Sequence, residues 1–151
     1  MYVYDFDGDG DNDVVGSSPH RRGIWWYEQN GKEWKTHQID DSIAQTHALV
    51  LADMNGDGLP DLVTGKRFYA HNGRDPGEDE PPQIAWYELS RAPGVSPAQP
   101  GPSMPQWTKH VIDDDSGVGT QFEVHDMNGD GLLDIIIANK RGVFYFEQER
   151  N

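Results

Sequence analysis

The sequence contains no cysteine, no long apolar run and few basic residues. Without cysteine among its 151 residues, the chain cannot form a disulfide. No apolar run approaches the length of about 20 residues that a membrane-spanning helix requires. Acidic residues outnumber basic ones 26 to 12, which gives a formal net charge of -14. This charge argues against a nucleic-acid partner, because phosphate binding requires a basic surface.

Helix signals and catalytic signatures are also absent. The sequence has no Gly-x-Ser-x-Gly, no His-Glu-x-x-His, no phosphate-binding loop and no cysteine nucleophile. The acidic runs at 40–41 and 113–115 are neighbours in sequence, whereas glycosidases place their two carboxylates across a cleft. The sequence on its own therefore identifies no enzyme class.

Three kinds of segment recur along the chain and define its organisation. Acidic loops occur at 5–13, 53–61 and 126–134, each followed by an apolar run; aromatic strands ending in Glu occur at 24–28, 84–88 and 143–147; strands opened by Trp occur at 34–41 and 107–114. Two Gly/Pro-rich insertions, at 68–83 and 92–105, lengthen the second repeat. We expect both insertions to be surface loops.

The order of these segments predicts an all-β fold. Short β-type runs at 2–4, 47–52 and 121–125 precede the three acidic loops, so each repeat contains four antiparallel strands within about 50 residues, which is typical of a propeller blade. The sequence predicts one domain over 1–151, a partial β-propeller with blades at about 1–41, 46–115 and 119–151. The third blade lacks its outer strand, so we expect an incomplete chain with exposed sheet edges.

Each acidic loop reads Asp-x-(Asp/Asn)-x-Asp-Gly-x-x-Asp. Oxygen ligands at positions 1, 3, 5 and 9, with the carbonyl at position 7, suit Ca²⁺, and Gly at position 6 permits the tight turn. Position 12 lacks the Glu of an EF-hand, and no soft ligand favours zinc in these loops. We predict up to three structural Ca²⁺ ions, with these ligands: Asp5, Asp7, Asp9, Asp11 and Asp13; Asp53, Asn55, Asp57, Leu59 and Asp61; Asp126, Asn128, Asp130, Leu132 and Asp134.

A second set of residues is predicted on the face opposite the acidic loops. Antiparallel order places there the loops that join strands two and three and the connections between blades. The ligand-binding candidates are Lys66, Arg67, His71, Arg74, Thr120, Gln121, Lys140 and Arg141, and His47 and His71 are weak catalytic candidates. The alternative is that these charged turns are solvated or form weak surface ion pairs. We expect Trp26, Trp86 and Tyr145 to pack between blades.

The loop at 53–61 with the following Leu62-Val63, and its two counterparts, resemble FG-GAP/VCBS-type repeats. This resemblance implies a seven-bladed propeller, with calcium in the loop between the first two strands of each blade. The segments 65–71, 110–121 and 139–142 resemble a subgroup of large secreted bacterial VCBS proteins and, more distantly, the propeller of fungal aldos-2-ulose dehydratase. The resemblance implies an extracellular or periplasmic location, with a signal peptide upstream.

Three functional hypotheses remain open from the sequence. The first is a calcium-stabilised module that binds carbohydrate or a protein partner. The second is the propeller part of a sugar-active lyase or dehydratase. The third is a structural scaffold that packs against the remaining propeller blades or associates with itself.

Overall fold

The computed structural model describes residues 1–92 and 103–150 as a succession of β-strands with no helix among them. The strands are β1 (Tyr2–Tyr4), β2 (Asp13–Ser17), β3 (Arg22–Asn30), β4 (Glu33–Ala44), β5 (Leu49–Ala52), β6 (Asp61–Lys66), β7 (Gln83–Ser90), β8 (Gln106–Asp113), β9 (Phe122–His125), β10 (Asp134–Asn139) and β11 (Gly142–Phe146). The prediction of an all-β fold is confirmed. Most of the predicted insertion at 92–105 lies outside the described residues.

The strands form three antiparallel sheets, each built from consecutive segments of chain. The first sheet has the order β1-β2-β3-β4, the second β5-β6-β7-β8, and the third β11-β10-β9. These are the predicted partial propeller blades, the third with three strands. Across the described part of the chain, no helix is long and apolar enough to cross a membrane.

Equivalent residues occupy equivalent positions in the three sheets. Trp26 lies opposite Val15, Trp86 opposite Val63, and Tyr145 opposite Ile136. The acidic loop joins the first two strands of every sheet, so all three loops lie at one end of the strands. The loops between second and third strands lie at the other end, because successive strands are antiparallel.

Two apolar clusters hold the sheets together face to face. The cluster between the first and second sheets contains Phe6, Trp26 and Tyr87, and the cluster between the second and third contains Met54 and Phe122. Side chains alternate between the two faces of a strand, so consecutive residues pack against opposite neighbours. Each cluster buries the residue that follows the first Asp of one loop, Phe6 or Met54, which anchors the first two acidic loops in the sheet interfaces, whereas the equivalent Met127 of the third loop is exposed.

The prediction that three equivalent aromatic residues pack between blades is correct for two of them. Trp26 is buried and Trp86 is half-buried, and each stacks on a histidine of the adjacent strand, His37 and His110 respectively. Tyr145 is 49% exposed, so its predicted burial is wrong. The reason is geometric: its position faces away from the second sheet, and none of the described residues covers that side.

Candidate functional site

The three acidic loops share one hydrogen-bonded frame, which begins at their first residue. In the first loop the carboxylate of Asp5 accepts hydrogen bonds from the backbone N–H groups of Gly8, Asp9 and Gly10, at 2.7, 3.1 and 3.1 Å. Asp53 and Asp126 accept the equivalent three bonds in the other loops. The turn tightens around this carboxylate, and the side chains at positions 3 and 5 are carried to the same side.

The side chain at position 3 distinguishes the first loop from the other two. Asp7 Oδ1 accepts the N–H of Asp9 at 3.0 Å, and the carboxylate has a second oxygen. Asn55 and Asn128 have a single oxygen, which accepts the equivalent N–H of Asp57 at 3.0 Å and of Asp130 at 2.9 Å. At position 3 the first loop therefore offers one more side-chain oxygen, and one more negative charge, than the second or third.

The last Asp of each loop is buried and joins the loop to the third strand of its sheet. Asp61 is fully buried, and its two oxygens accept the N–H groups of Met54 and Leu89, both at 2.9 Å. Asp13 and Asp134 are equally buried and make the equivalent pairs of bonds. These carboxylates close the loop, and an oxygen that accepts a single hydrogen bond retains a lone pair for a cation; Oδ2 of Asp134 accepts a second hydrogen bond, from the hydroxyl of Tyr145.

The electrostatics of the first two loops favour a bound cation. Burial and the charges of neighbouring aspartates raise the pKa of Asp7 to about 6, and burial likewise raises the pKa of Asp61 to about 6. Oxygen atoms of Asp5, Asp7 and Asp13 lie within 4.8 Å of one another. Such a cluster of hard oxygen donors around crowded negative charge fits Ca²⁺ in chemistry and in spacing.

Each of the first two loops is also contacted by the neighbouring sheet. Arg91, which follows β7, donates to the carbonyls of Asp5 and Phe6 in the first loop. Gln148, which follows β11, donates to the carbonyl of Met54 in the second loop at 2.9 Å. An acidic loop of one sheet is thus bonded to the sheet that follows it in the chain.

The opposite ends of the sheets hold the residues predicted to bind a ligand, with one clear correction. Lys66 is only 2% exposed, and its ammonium lies 3.5 Å from the carbonyls of Arg67 and Glu78. Burial places this side chain beneath the predicted ligand-binding surface, which corrects the expectation that Lys66 is exposed there. The repeat pattern does not indicate this burial, because a buried lysine is rare and Glu78, whose carbonyl lies beside the ammonium, belongs to the insertion at 68–83.

Lys140 and Arg141 lie on the surface and have partners within the protein. Lys140 donates to the carbonyl of Tyr69 at 2.8 Å, and Arg141 forms an ion pair with Asp115 at 2.7 Å. Arg74 is exposed. The Arg141–Asp115 pair is a surface ion pair of the kind that the sequence analysis gave as the alternative to ligand binding.

Two concave surfaces collect several of the other candidates. A cleft of about 540 Å³ is lined by Thr120 and Gln121 together with Thr46 and His47. A shallower one of about 250 Å³ is lined by Arg67, Thr120 and Lys140. The larger one is lined by residues of the first strands β1, β5 and β9, and the shallower one by the connection between β8 and β9 and by the ends of the second strands β6 and β10.

His47 and His71, predicted as weak catalytic candidates, are in direct contact. Their Nε2 atoms are 3.2 Å apart, and the ring of His20 lies against that of His71 with centroids 4.2 Å apart. Burial, with contributions from Arg67 and the other two histidines, lowers the pKa of His47 to about 4. His20 is absent from the predicted site residues, although the predicted strand order places its loop at the same end of the strands as His47 and His71.

The fold and the loops define a class of protein: a partial β-propeller with an acidic loop at the same place in each blade. Residues 5–64 match the family model described as an FG-GAP-like repeat. The match runs from the first acidic loop to β6 and so supports the FG-GAP assignment for this part of the chain. Comparisons with curated proteins and with solved structures gave no match.

Proposed function

We propose that this chain is a calcium-binding β-propeller repeat module of an extracellular or periplasmic protein. The observation that carries the proposal is the hydrogen-bonded frame shared by the three acidic loops, which in the first loop brings oxygen atoms at positions 1, 3 and 9 within 4.8 Å of one another. Up to three Ca²⁺ ions bind there, one to a loop.

The role of the ion is structural. Each loop joins two strands of its own sheet, and the first two loops also accept hydrogen bonds from Arg91 or Gln148 of the next sheet. Without a cation, carboxylates such as Asp7 and Asp61 remain crowded and partly desolvated, which destabilises the folded loop. Calcium binding therefore stabilises single sheets and the contact between them.

The weak calcium affinity expected of the second and third loops supports an extracellular location. The side chains at positions 3 and 5 of these two loops are exposed, and the neutral Asn55 and Asn128 reduce their charge. Modules of this kind bind Ca²⁺ with dissociation constants of about 10⁻⁴ to 10⁻³ M, which extracellular calcium can saturate.

The face opposite the loops binds the partner, a carbohydrate or a protein. The cleft of about 540 Å³ has the hydroxyl and amide groups of Thr46, Thr120 and Gln121 among its walls. Such groups form hydrogen bonds with sugar hydroxyls or with a peptide backbone. The large negative charge of the chain disfavours nucleic acid at this face.

Further blades, or a second copy of the chain, cover the outer face of the third sheet. Val143 and Tyr145 are 75% and 49% exposed there. Tyr145 is equivalent to Trp26 and Trp86, both of which pack between sheets. A repeat that packs on this face would bury Tyr145 as the second sheet buries Trp26.

Thermal unfolding tests the calcium proposal directly. We expect the melting temperature of the full chain to rise with Ca²⁺ concentration and to fall in EDTA, because the ion binds the folded loops. Mg²⁺ is the control cation, since it prefers a tight octahedral site and retains its waters. Superimposable melting curves in EDTA and in excess Ca²⁺ would contradict the proposal that calcium stabilises the fold.

A glycan array, followed by titration of any sugar that binds, tests the proposed ligand face. Gln121→Ala lies in the cleft and should weaken binding by about tenfold, the effect of losing one good hydrogen bond. Gln38→Ala, on the exposed surface of β4, is the matched control. Equal affinities for the two variants would rule the cleft out as the binding site.

A second candidate function, the propeller part of a sugar-active lyase or dehydratase, is supported by the contact of His47 with His71 beside the cleft. A histidine pair can transfer protons to and from a sugar. Incubation of the chain with keto sugars, with and without His71→Ala, tests it. Turnover that persists unchanged in the variant would exclude these histidines.

A further inference from the structure

Three histidines from three separate loops converge at the end of the sheets opposite the acidic loops. His20 lies between β2 and β3, His47 between β4 and β5, and His71 between β6 and β7. A ring nitrogen of each lies within 4.8 Å of the others. The loops belong to the first sheet, to the connection between sheets and to the second sheet, so the cluster exists only in the folded protein.

The distance between two of the three imidazoles matches that of a four-coordinate metal site. Metal–nitrogen bonds of about 2.0–2.1 Å in a tetrahedron place two ligand atoms about 3.3 Å apart. The Nε2 atoms of His47 and His71 are 3.2 Å apart. A hydrogen bond between these two rings would explain their contact, but it would not explain why the ring of His20 lies beside them.

A carboxylate accompanies the three imidazoles. Asp75 Oδ2 lies 2.9 Å from His20 Nδ1 and 3.8 Å from His71 Nε2, and its side chain is 19% exposed. Carboxylates beside metal-bound histidines either ligate the ion or fix the orientation of the imidazole. Asp75 also supplies the negative charge that three neutral imidazoles lack.

The loop that carries His71 is held in an unfavourable backbone conformation. Tyr69, His71 and Asn72 all have positive φ, at 42°, 54° and 58°. Residues other than glycine rarely adopt such angles, and strain of this kind concentrates at ligand-binding positions. Here the strain places His71 against His20 and His47.

The exposure of the three rings is uneven. The side chain of His20 is 57% exposed and that of His71 is 30% exposed. An ion can therefore enter from the side of His20, and a coordination position on that side remains open to water or to another ligand. His47 also lines the cleft of about 540 Å³, so the cluster adjoins a cavity of ligand size.

We propose that His20, His47 and His71, together with Asp75, bind one divalent transition-metal ion of the Zn²⁺ type. Imidazole nitrogen is the preferred donor for Zn²⁺ and Co²⁺, whereas Ca²⁺ requires oxygen donors. The site is independent of the acidic loops, because it lies at the other end of the strands and uses different chemistry.

Titration of the tag-free full chain with Zn²⁺ and with Co²⁺, in excess Ca²⁺ to occupy the acidic loops, tests the proposal. We expect one equivalent of Zn²⁺ per chain and, with Co²⁺, the intense visible absorption of a tetrahedral complex. Asp75→Asn should weaken zinc binding by about 10- to 100-fold, the range for partners of metal-bound histidine. His47→Ala and His71→Ala should weaken it further, because each removes a ligand.

His125→Ala is the matched control, since His125 is exposed on β9 and distant in sequence from the cluster. Its affinity for zinc should equal that of the unmodified chain. If a histidine variant fails to fold in Ca²⁺, the NMR spectrum of the unmodified chain identifies the zinc ligands through the ring signals of its six histidines. Zinc should shift three of them and leave His37, His110 and His125 unchanged. Failure to bind one equivalent, or equal binding by His71→Ala, would overturn the proposal.

Discussion

The residue at position 3 of each acidic loop should set the calcium affinity of that loop. In the first loop Asp7 has one oxygen for the backbone N–H of Asp9 and a second for the ion. In the second loop the single oxygen of Asn55 already accepts the N–H of Asp57 at 3.0 Å, and its Nδ2 points at Asp57 Oδ2, 3.2 Å away. Asn55 can therefore offer the ion only the remaining lone pair of a neutral oxygen that already accepts a hydrogen bond, whereas Asp7 offers a second, charged oxygen.

The charge difference gives the expected magnitude. A carboxylate about 4 Å from a divalent ion gains about 2 kcal/mol in a water-like dielectric, twice the value for two unit charges. Repulsion from the neighbouring carboxylates cancels part of this gain, and a net effect of about 1.4 kcal/mol corresponds to about tenfold in affinity. Asn55→Asp should thus tighten the second loop about tenfold, and Asp7→Asn should weaken the first loop to a similar extent.

Calorimetric titration with Ca²⁺ at constant ionic strength measures both changes. The unmodified chain should show one tighter site and two weaker ones, Asn55→Asp two tighter sites, and Asp7→Asn none. Asn12→Asp is the control: it adds a negative charge to the exposed end of the first loop, outside the alternating ligand positions. If Asn12→Asp has the same effect as Asn55→Asp, general charge sets the affinity and the argument from oxygen geometry is refuted.

Two further predictions concern the sheets. Burial alone would raise the pKa of Asp40, but hydrogen bonds from Tyr87 and Ser42 outweigh it, and the pKa is lowered. The ionised Asp40 therefore stabilises the fold above about pH 4, and this stabilisation is lost as the pH falls through the folded-state pKa. Tyr87→Phe should therefore lower the free energy of unfolding by about 2 kcal/mol at pH 7 and by less in acid. Urea unfolding at several pH values measures this difference, and a difference that does not change with pH would contradict the prediction. Gly65→Ala should lower the free energy of unfolding by about 1–3 kcal/mol or more, because the new Cβ would lie 2.1 Å from the carbonyl oxygen of Gln83. Gly16→Ala is the control and should be tolerated, because its Cβ would meet no atom closer than 3.7 Å. Equal urea midpoints for these two alanine variants would contradict the packing argument.

The repeats account for the success of the fold prediction. The acidic loops, the aromatic strands and their spacing recur in fixed order, and this order is enough to predict antiparallel sheets with equivalent registers. The loop frame around Asp5, Asp53 and Asp126 is local, because each hydrogen bond of the first Asp spans five residues or fewer. Local interactions of this kind are encoded in a short segment and can be recognised there.

The errors share a different cause, since they concern residues whose surroundings come from distant parts of the chain. Lys66 was expected on the surface, yet the insertion at 68–83 covers it. Tyr145 was expected in the core, yet no described sheet packs on its side. Burial depends on which segments lie nearby in space, and the repeat pattern specifies the equivalent positions without specifying their neighbours.

The sequence by itself determined the repeat, the all-β class and the positions of the hard oxygen donors, because all three depend on residues close together in the chain. The tertiary structure alone decided which loops meet. His20, His47 and His71 belong to segments with different patterns and carry no shared motif, and only the packing of the first sheet on the second places a ring nitrogen of each within 4.8 Å of the others. The acidic loops could be recognised from composition and spacing, while the histidine cluster required the folded chain.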